Sequence, residues 1–316
     1  MKKLIILIVI LGSMNVSGKS RWITYRIAEE HSPKNDICSV CFDRDGCLWA
    51  GTDYGVYQNK DGKWIAQGTE NVYVQTLFID AENRKWVGLW GGGVFLRGSE
   101  DDWKHVRDAS PTGSVNVITA DHDGNIWIGD WGGGAVMLGD TAGGYAVKKR
   151  IVYKAGEAQV NLGDNTVTSA VCDARGRMWF GTYHGVSVFH DGLWTLYNSE
   201  NSNLPDNDVY ALAAGKDGCV WIGTCDGLVK VSGQEWTVYH TENCGLSCDL
   251  VLALATGEDG TIWVGTNKGL FSFDGKKWTN FTVENSGLAD NRIQTVTLYH
   301  EKIYVGTSQG ISVCDQ

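Results

Sequence analysis

Short apolar runs, each closed by a glycine-containing turn, succeed one another from residue 37 to the end of the chain. A run such as residues 208–214 is apolar on both faces of an extended strand. That pattern belongs to a sheet packed between two neighbours, not to one half exposed to water. Asp-Gly pairs at Asp45-Gly46, Asp123-Gly124, Asp217-Gly218 and Asp259-Gly260 supply the positive φ of a tight hairpin turn. A tryptophan follows at Trp49, Trp86, Trp127, Trp179, Trp221 and Trp263, and Tyr304 takes the seventh place. Two residues after each aromatic stands Gly51, Gly88, Gly129, Gly181, Gly223, Gly265 or Gly306, at intervals of 37, 41, 52, 42, 42 and 41 residues. Such a glycine predicts close backbone approach or a bulge. A period of about 40–45 residues with four short strands is that of a propeller blade.

The fifth unit reads most plainly. Its inner strand is predicted at 208–214, its second at 219–223, its third at 228–231 and its outer strand at 236–239. The outer strand carries a Trp and an aromatic three places on, as Trp194/Tyr197, Trp236/Tyr239 and Trp278/Phe281, while Trp64 and Trp103 open those of units one and two. Unit three departs. Arg150 replaces the Trp, Tyr153 is kept, and extra residues between Gly139 and Asn165 predict a long loop or a lengthened hairpin. The seventh unit ends at Gln316 after three strands, and its missing outer strand is found at residues 22–25. The expected fold is therefore all-β, a seven-bladed β-propeller whose last blade is closed by the N-terminal strand. Closure of this kind removes an exposed sheet edge.

Composition adds an export signal. Lys2 and Lys3 precede the apolar residues 4–11, and Val16 and Gly18 supply small residues for cleavage, so residues 1–18 read as a secretory signal peptide. The apolar run is too short to cross a bilayer, which needs about 20 residues. The expected product is a single propeller over residues 19–316, periplasmic or secreted, with no membrane insertion after signal removal. The formal charge of −10 becomes −12 without Lys2 and Lys3. So acidic a chain repels phosphate backbones, and nucleic acid is not an expected partner.

The motif D-G-x-[IV]-W-[IV]-G-T-x-x-G-L at residues 217–228 and 259–270, with G-L-x-D-N-x-I at 287–293, resembles the two-component regulator propeller repeat. The resemblance extends over essentially the whole chain after the signal. It implies the sensor type of propeller that forms the extracytoplasmic half of hybrid two-component kinases, many of which respond to polysaccharide fragments. No immunoglobulin-like linker, transmembrane helix or kinase is expected after Gln316. The expectation is a sensor-like binding propeller that signals through a separate protein partner or acts alone.

Candidate chemistry lies in the loops between strands two and three, where tips vary on constant flanks. Trp90, Trp131 and Tyr183 share one register on consecutive blades, and Tyr54 lies one place later. Trp90 and Trp131 are each followed by three glycines, which leave the rings little local cover. The expected ligand-binding set is Tyr54, Trp90, Asp130, Trp131, Tyr183, His184, Asp226 and Lys268, an aromatic arc stacking on the rings of an oligosaccharide with Asp130, His184 and Asp226 as hydrogen-bonding groups. Packing of both tryptophans into the channel mouth is the competing reading, and an acidic rim for a protein partner is another. A lyase or hydrolase using His184, Asp130 and Asp226 is disfavoured, because no convergent acid–base spacing appears. No catalytic residue, cofactor or metal is expected.

Nine cysteines leave at least one unpaired. Cys38, Cys41, Cys47, Cys172 and Cys219 are predicted on inner strands, and the spacing of Cys244 and Cys248 permits a local disulfide. Zinc spacing is absent. Calcium would have only Asp- and Asn-rich connectors such as Asp206-Asn207-Asp208, whose recurrence favours turn capping.

Overall fold

The structure, a computed structural model, describes residues 22–98, 102–139 and 149–315. The signal peptide expected over residues 1–18 lies outside the described residues. Twenty-eight strands, β1 to β28 in chain order, form seven four-stranded antiparallel sheets. The inner strands are β2 (Ile37–Phe42), β6 (Val74–Ile79), β10 (Val115–Ala120), β14 (Val167–Cys172), β18 (Val209–Ala214), β22 (Val251–Thr256) and β26 (Ile293–Tyr299). Each packs beside the next, and β26 packs back against β2, so the ring is closed. The chain is an all-β, seven-bladed propeller. No helix among the described residues is long and apolar enough to cross a membrane.

Closure comes from the N-terminus. β1 (Trp22–Tyr25) pairs antiparallel with β28 (Gly310–Asp315), Trp22 opposite Cys314 and Tyr25 opposite Ile311. The seventh sheet runs β1-β28-β27-β26, with β27 at Lys302–Thr307. In the fifth sheet the observed strands are Val209–Ala214, Val220–Thr224, Gly227–Ser232 and Glu235–Tyr239, within a residue or so of the predicted ones.

The marker glycines do both things that a strand glycine can do. Opposite each of them the inner strand of the same blade shifts register, as between Val209 and Ala211 facing Gly223. The same glycine also receives the next blade. A Cβ on Gly223 would stand 2.4 Å from Cγ1 of Val251, and one on Gly88 2.5 Å from Cγ1 of Val115. Gly306 of the last blade meets Ile37 of the first in the same way, at 2.9 Å. None of these glycines has a positive φ, so the requirement is space between blades. Gly223→Ala is therefore expected to overpack the seam between blades five and six by about 1–3 kcal/mol. A lowered urea midpoint at unchanged slope checks it.

The six blade tryptophans are buried between sheets. In blade three β12 (Gly134–Gly139) pairs with β13 (Lys149–Tyr153), Gly139 opposite Lys149. The loop or lengthened hairpin expected from the extra residues falls largely on residues 140–148, which lie outside the described residues. Two placements differ from expectation. Cys47 and Cys219 lie just before second strands, and only Cys38, Cys41 and Cys172 are on inner strands. Cys244 and Cys248 do not form a disulfide, and all nine cysteines are free. Their thiols donate to different acceptors, Cys244 to the His240 carbonyl at 3.0 Å and Cys248 to Oδ1 of Asn267 at 2.9 Å.

Candidate functional site

The loop between strands two and three is built the same way in five blades. A buried threonine ends the second strand, donates its hydroxyl to a glycine carbonyl three residues on, and accepts the N–H of the second tip residue. Thr182 does this with Gly185 at 2.9 Å and with His184 at 3.0 Å. Thr52, Thr224 and Thr266 hold Tyr54, Asp226 and Lys268 alike. His184, Asp226 and Lys268 are exposed at these tips, and Tyr54 is too, with Nζ of Lys34 5.9 Å from its ring.

Blades two and three lack the threonine and use glycines instead. Gly91 and Gly93 flank one tip with φ of 78° and 75°, and Gly132 and Gly134 the other with 85° and 83°. The first tip residue prolongs the ladder with the inner strand. Trp90 donates its N–H to the Tyr73 carbonyl at 3.1 Å, and Trp131 to that of Ser114 at 2.8 Å. This backbone pairing turns the two indoles toward each other. Trp90 and Trp131 meet edge to face at 5.3 Å, Trp131 and Tyr183 at 5.9 Å, and Tyr183 and Tyr210 at 5.9 Å. A continuous aromatic track thus crosses blades two to five. Trp90 and Trp131 remain 49% and 42% exposed. Tyr54, expected to extend the arc, has no ring contact with it among the described residues.

Asp130 is the expected site residue that the fold removes from the surface. It occupies the threonine position of blade three and is fully buried. Its carboxylate accepts from the hydroxyl of Ser110, from Oγ1 of Thr112 at 2.6 Å and from the Thr112 N–H at 3.3 Å. A Cβ on Gly133 would fall on this carboxylate, at 2.3 Å, so the loop wraps it closely. Asp130 fastens the preceding connector to the loop that carries Trp131.

At the Tyr210 end lie Asp206, Asp208 and Cys225, whose oxygen and sulfur atoms are all within 4.8 Å of one another. Three such groups could hold a metal ion. Burial, then a hydrogen bond to Asp206 and the neighbouring carboxylates, push the Cys225 thiol up to about 11. Burial raises the Tyr183 phenol above its usual range, followed by the charges of Asp208 and Asp164. Tyr210 is raised by burial and by Asp208.

With this geometry in view, the model of the two component regulator propeller matches residues 31–54, 109–132, 161–184, 203–226 and 245–268. Each segment runs from a connector through an inner and a second strand to a loop tip, in blades one, three, four, five and six. The chain belongs to the two-component regulator propeller repeat family. The chain is similar to the extracellular domain of a B. thetaiotaomicron protein described as a hybrid two-component system, BT3049, with a TM-score of 0.80 at 23% identity, over 94% of this chain and 41% of that one. It therefore spans about two fifths of that relative. It is also similar to the virginiamycin B lyase of Staphylococcus aureus, with a TM-score of 0.75 at 12% identity over 94% and 100% of the two chains. A third likeness is to PorZ of Porphyromonas gingivalis, a surface component of the type-IX secretion system, with a TM-score of 0.68 at 19% identity over 89% and 46%. At these identities the likeness is one of fold. No curated protein matches the chain.

In this regulator propeller the sequence reading missed Tyr210. It is the residue left unpaired by the inner-strand bulge between Val209 and Ala211. The corresponding bulge positions are Cys38, Gln75, Asn116, Thr168, Leu252 and Gln294. Their variety on a constant strand was the available signal, but the bulge is invisible to an alternation pattern.

Proposed function

We propose that this regulator propeller is an exported, sensor-type binding protein that takes an oligosaccharide on the aromatic track of blades two to five. One observation carries the reading. Two tryptophans stay about half exposed while meeting edge to face, in register with Tyr183 and Tyr210. Exposed aromatic rings lose free energy in water and gain it by stacking on an apolar ring face, and sugars offer such faces ringed by hydroxyls. His184 and Asp226, exposed at neighbouring tips, are placed to hydrogen-bond those hydroxyls. Export rests on the signal expected over residues 1–18 and on the likeness to extracellular domains. Binding without turnover is the reading supported by the engagement of Asp130 with Ser110 and Thr112. Relay of the bound state then falls to a partner protein.

Calorimetric titration of Trp90→Ala and Trp131→Ala against a panel of plant and host oligosaccharides tests this. The wild type is expected to bind at least one glycan and to gain about 2.7 kcal/mol of apparent stability at a hundredfold excess over Kd. Each substitution weakens that binding about tenfold or more, the effect of an anchoring aromatic. Unchanged affinity in both variants would remove the track from the site.

A further inference from the structure

We propose that Asp130 is the positioning residue of the aromatic track, holding Trp90 as well as Trp131 in place for the ligand, a role that rests on the saccharide reading above. Elsewhere in the ring a connector is tied down by its own amide or carboxylate, two places before the inner strand. Asn35, Asn165, Asn207, Asp249 and Asn291 each accept, through Oδ1, a backbone N–H from the start of the connector at 2.7–2.9 Å. The last four also offer the carbonyl that receives the loop glycine of the preceding blade, as Asn207 receives Gly185 at 2.9 Å and Asn291 receives Gly269 at 2.7 Å. Blade three has Gly113 at that place, a residue with a carbonyl and no side chain. Its carbonyl still receives the loop of blade two, from the Gly93 N–H at 2.8 Å. The loop that carries Trp90 therefore hangs on a connector that cannot tie itself.

Asp130 supplies the missing tie from the other side. Its carboxylate accepts the hydroxyls of Ser110 and Thr112, and each hydroxyl in turn accepts a backbone N–H, that of Gly113 at 2.9 Å and that of Ser114 at 3.2 Å. Gly113 and Ser114 are the residues whose carbonyls hold the two tryptophan loops, through the N–H groups of Gly93 and Trp131, each at 2.8 Å. One buried carboxylate thus fixes both loops, and with them the indoles that meet at 5.3 Å. The threonine of the five other blades makes no such tie, because its hydroxyl is engaged with a glycine carbonyl of its own loop. Holding a ring in its bound placement raises affinity by removing the entropy cost of ordering it. The ends of the connector are fixed independently, since Ala109 and Val115 are buried in the core.

Asp130→Thr, which gives blade three the loop closure of the other five, separates positioning from folding. It should keep the far-ultraviolet circular dichroism of the propeller and lose the near-ultraviolet exciton signal of the indole pair, the band that Trp90→Ala and Trp131→Ala each remove. Its affinity for the glycan that the wild type binds should fall about tenfold or more, as for loss of an anchoring aromatic. On that background Trp90→Ala should cost only about twofold or less, because the two residues act through one another. Ser110→Ala with Thr112→Val cuts the same links from the connector's side and should match Asp130→Thr in both readouts. Asp130→Asn keeps an acceptor oxygen and the same shape, and should retain the exciton signal and most of the affinity. An exciton signal that survives Asp130→Thr or the connector double substitution, or a full effect of Trp90→Ala on the Asp130→Thr background, overturns the assignment and leaves ring stacking standing. A wild type that binds no glycan of the panel removes the saccharide reading, while the exciton signal still decides whether Asp130 sets the pair.

Discussion

Asp173→Ala is expected to lower the stability of the protein at pH 7 by about 3–5 kcal/mol, the range for removing one partner of a buried ion pair. Asp173 is fully buried and collects four donors. They are the Trp179 indole at 2.9 Å, Nε of Arg177 at 2.6 Å, and the backbone N–H groups of Arg175 and Arg177 at 2.9 and 3.0 Å. The Arg177 guanidinium also lies 5.0 Å from the Trp179 ring. Truncation strands all of these donors inside the blade. The same carboxylate-to-indole bond recurs as Asp43–Trp49, Asp80–Trp86 and Asp121–Trp127 at 2.7–2.8 Å. In blades five and six Gly215 and Gly257 take that position. Asp217 and Asp259 then accept the turn N–H and the side chains of Lys230 and Thr261 in place of an indole, and the Trp263 indole is left buried without a partner.

The same residue sets a pH dependence. Burial alone would raise the Asp173 carboxyl, but the bonds from Trp179, from the Arg177 and Arg175 backbone and from the Arg177 side chain outweigh it, and its pKa lies below the ordinary value. A carboxyl depressed on folding stabilises the protein above its unfolded pKa of about 3.9, and that stability is lost as pH falls through the folded value. The gap in urea midpoint between wild type and Asp173→Ala should thus be full at pH 7 and shrink below about pH 4. A gap independent of pH down to acid unfolding would remove the charge from this account.

Loss of β1 is expected to have the second large effect. Deleting Trp22–Tyr25 leaves the six-residue β28 as the outer edge of the seventh sheet, in place of the short strand β1. Such an edge offers unpaired N–H and C=O groups to another chain. The loss is also one of packing. Trp22 is buried with Trp263, Leu270 and Leu288, and meets Phe281 edge to face at 5.6 Å. Trp22→Ala alone should cost about 3–5 kcal/mol, as for other buried tryptophans. The deletion should go further and move the size-exclusion peak to species larger than the wild type's. A deletion variant that keeps the wild type's elution volume and unfolding midpoint would show that three strands suffice for the last blade.

The sequence alone determined the period, the blade count, the strand order and the closing strand. Those features rest on local alternation and on turn residues repeated every 37 to 52 positions, and both act within a few residues of chain. It also brought Trp90, Trp131 and Tyr183 into one register, because the marker glycines fix the distance from scaffold to tip. Only the tertiary structure decided which tip residues share a surface. It buried Asp130 under Ser110 and Thr112 of the preceding connector, brought Tyr210 out of an inner-strand bulge to meet Tyr183, and left Tyr54 apart beside Lys34. It left Cys244 and Cys248 unjoined, each thiol donating to an acceptor of its own. These outcomes depend on contacts between blades and connectors distant in sequence, or on a one-residue register shift. A periodic pattern averages such details away, because it records which face of a strand is apolar and not what the neighbouring blade places against it.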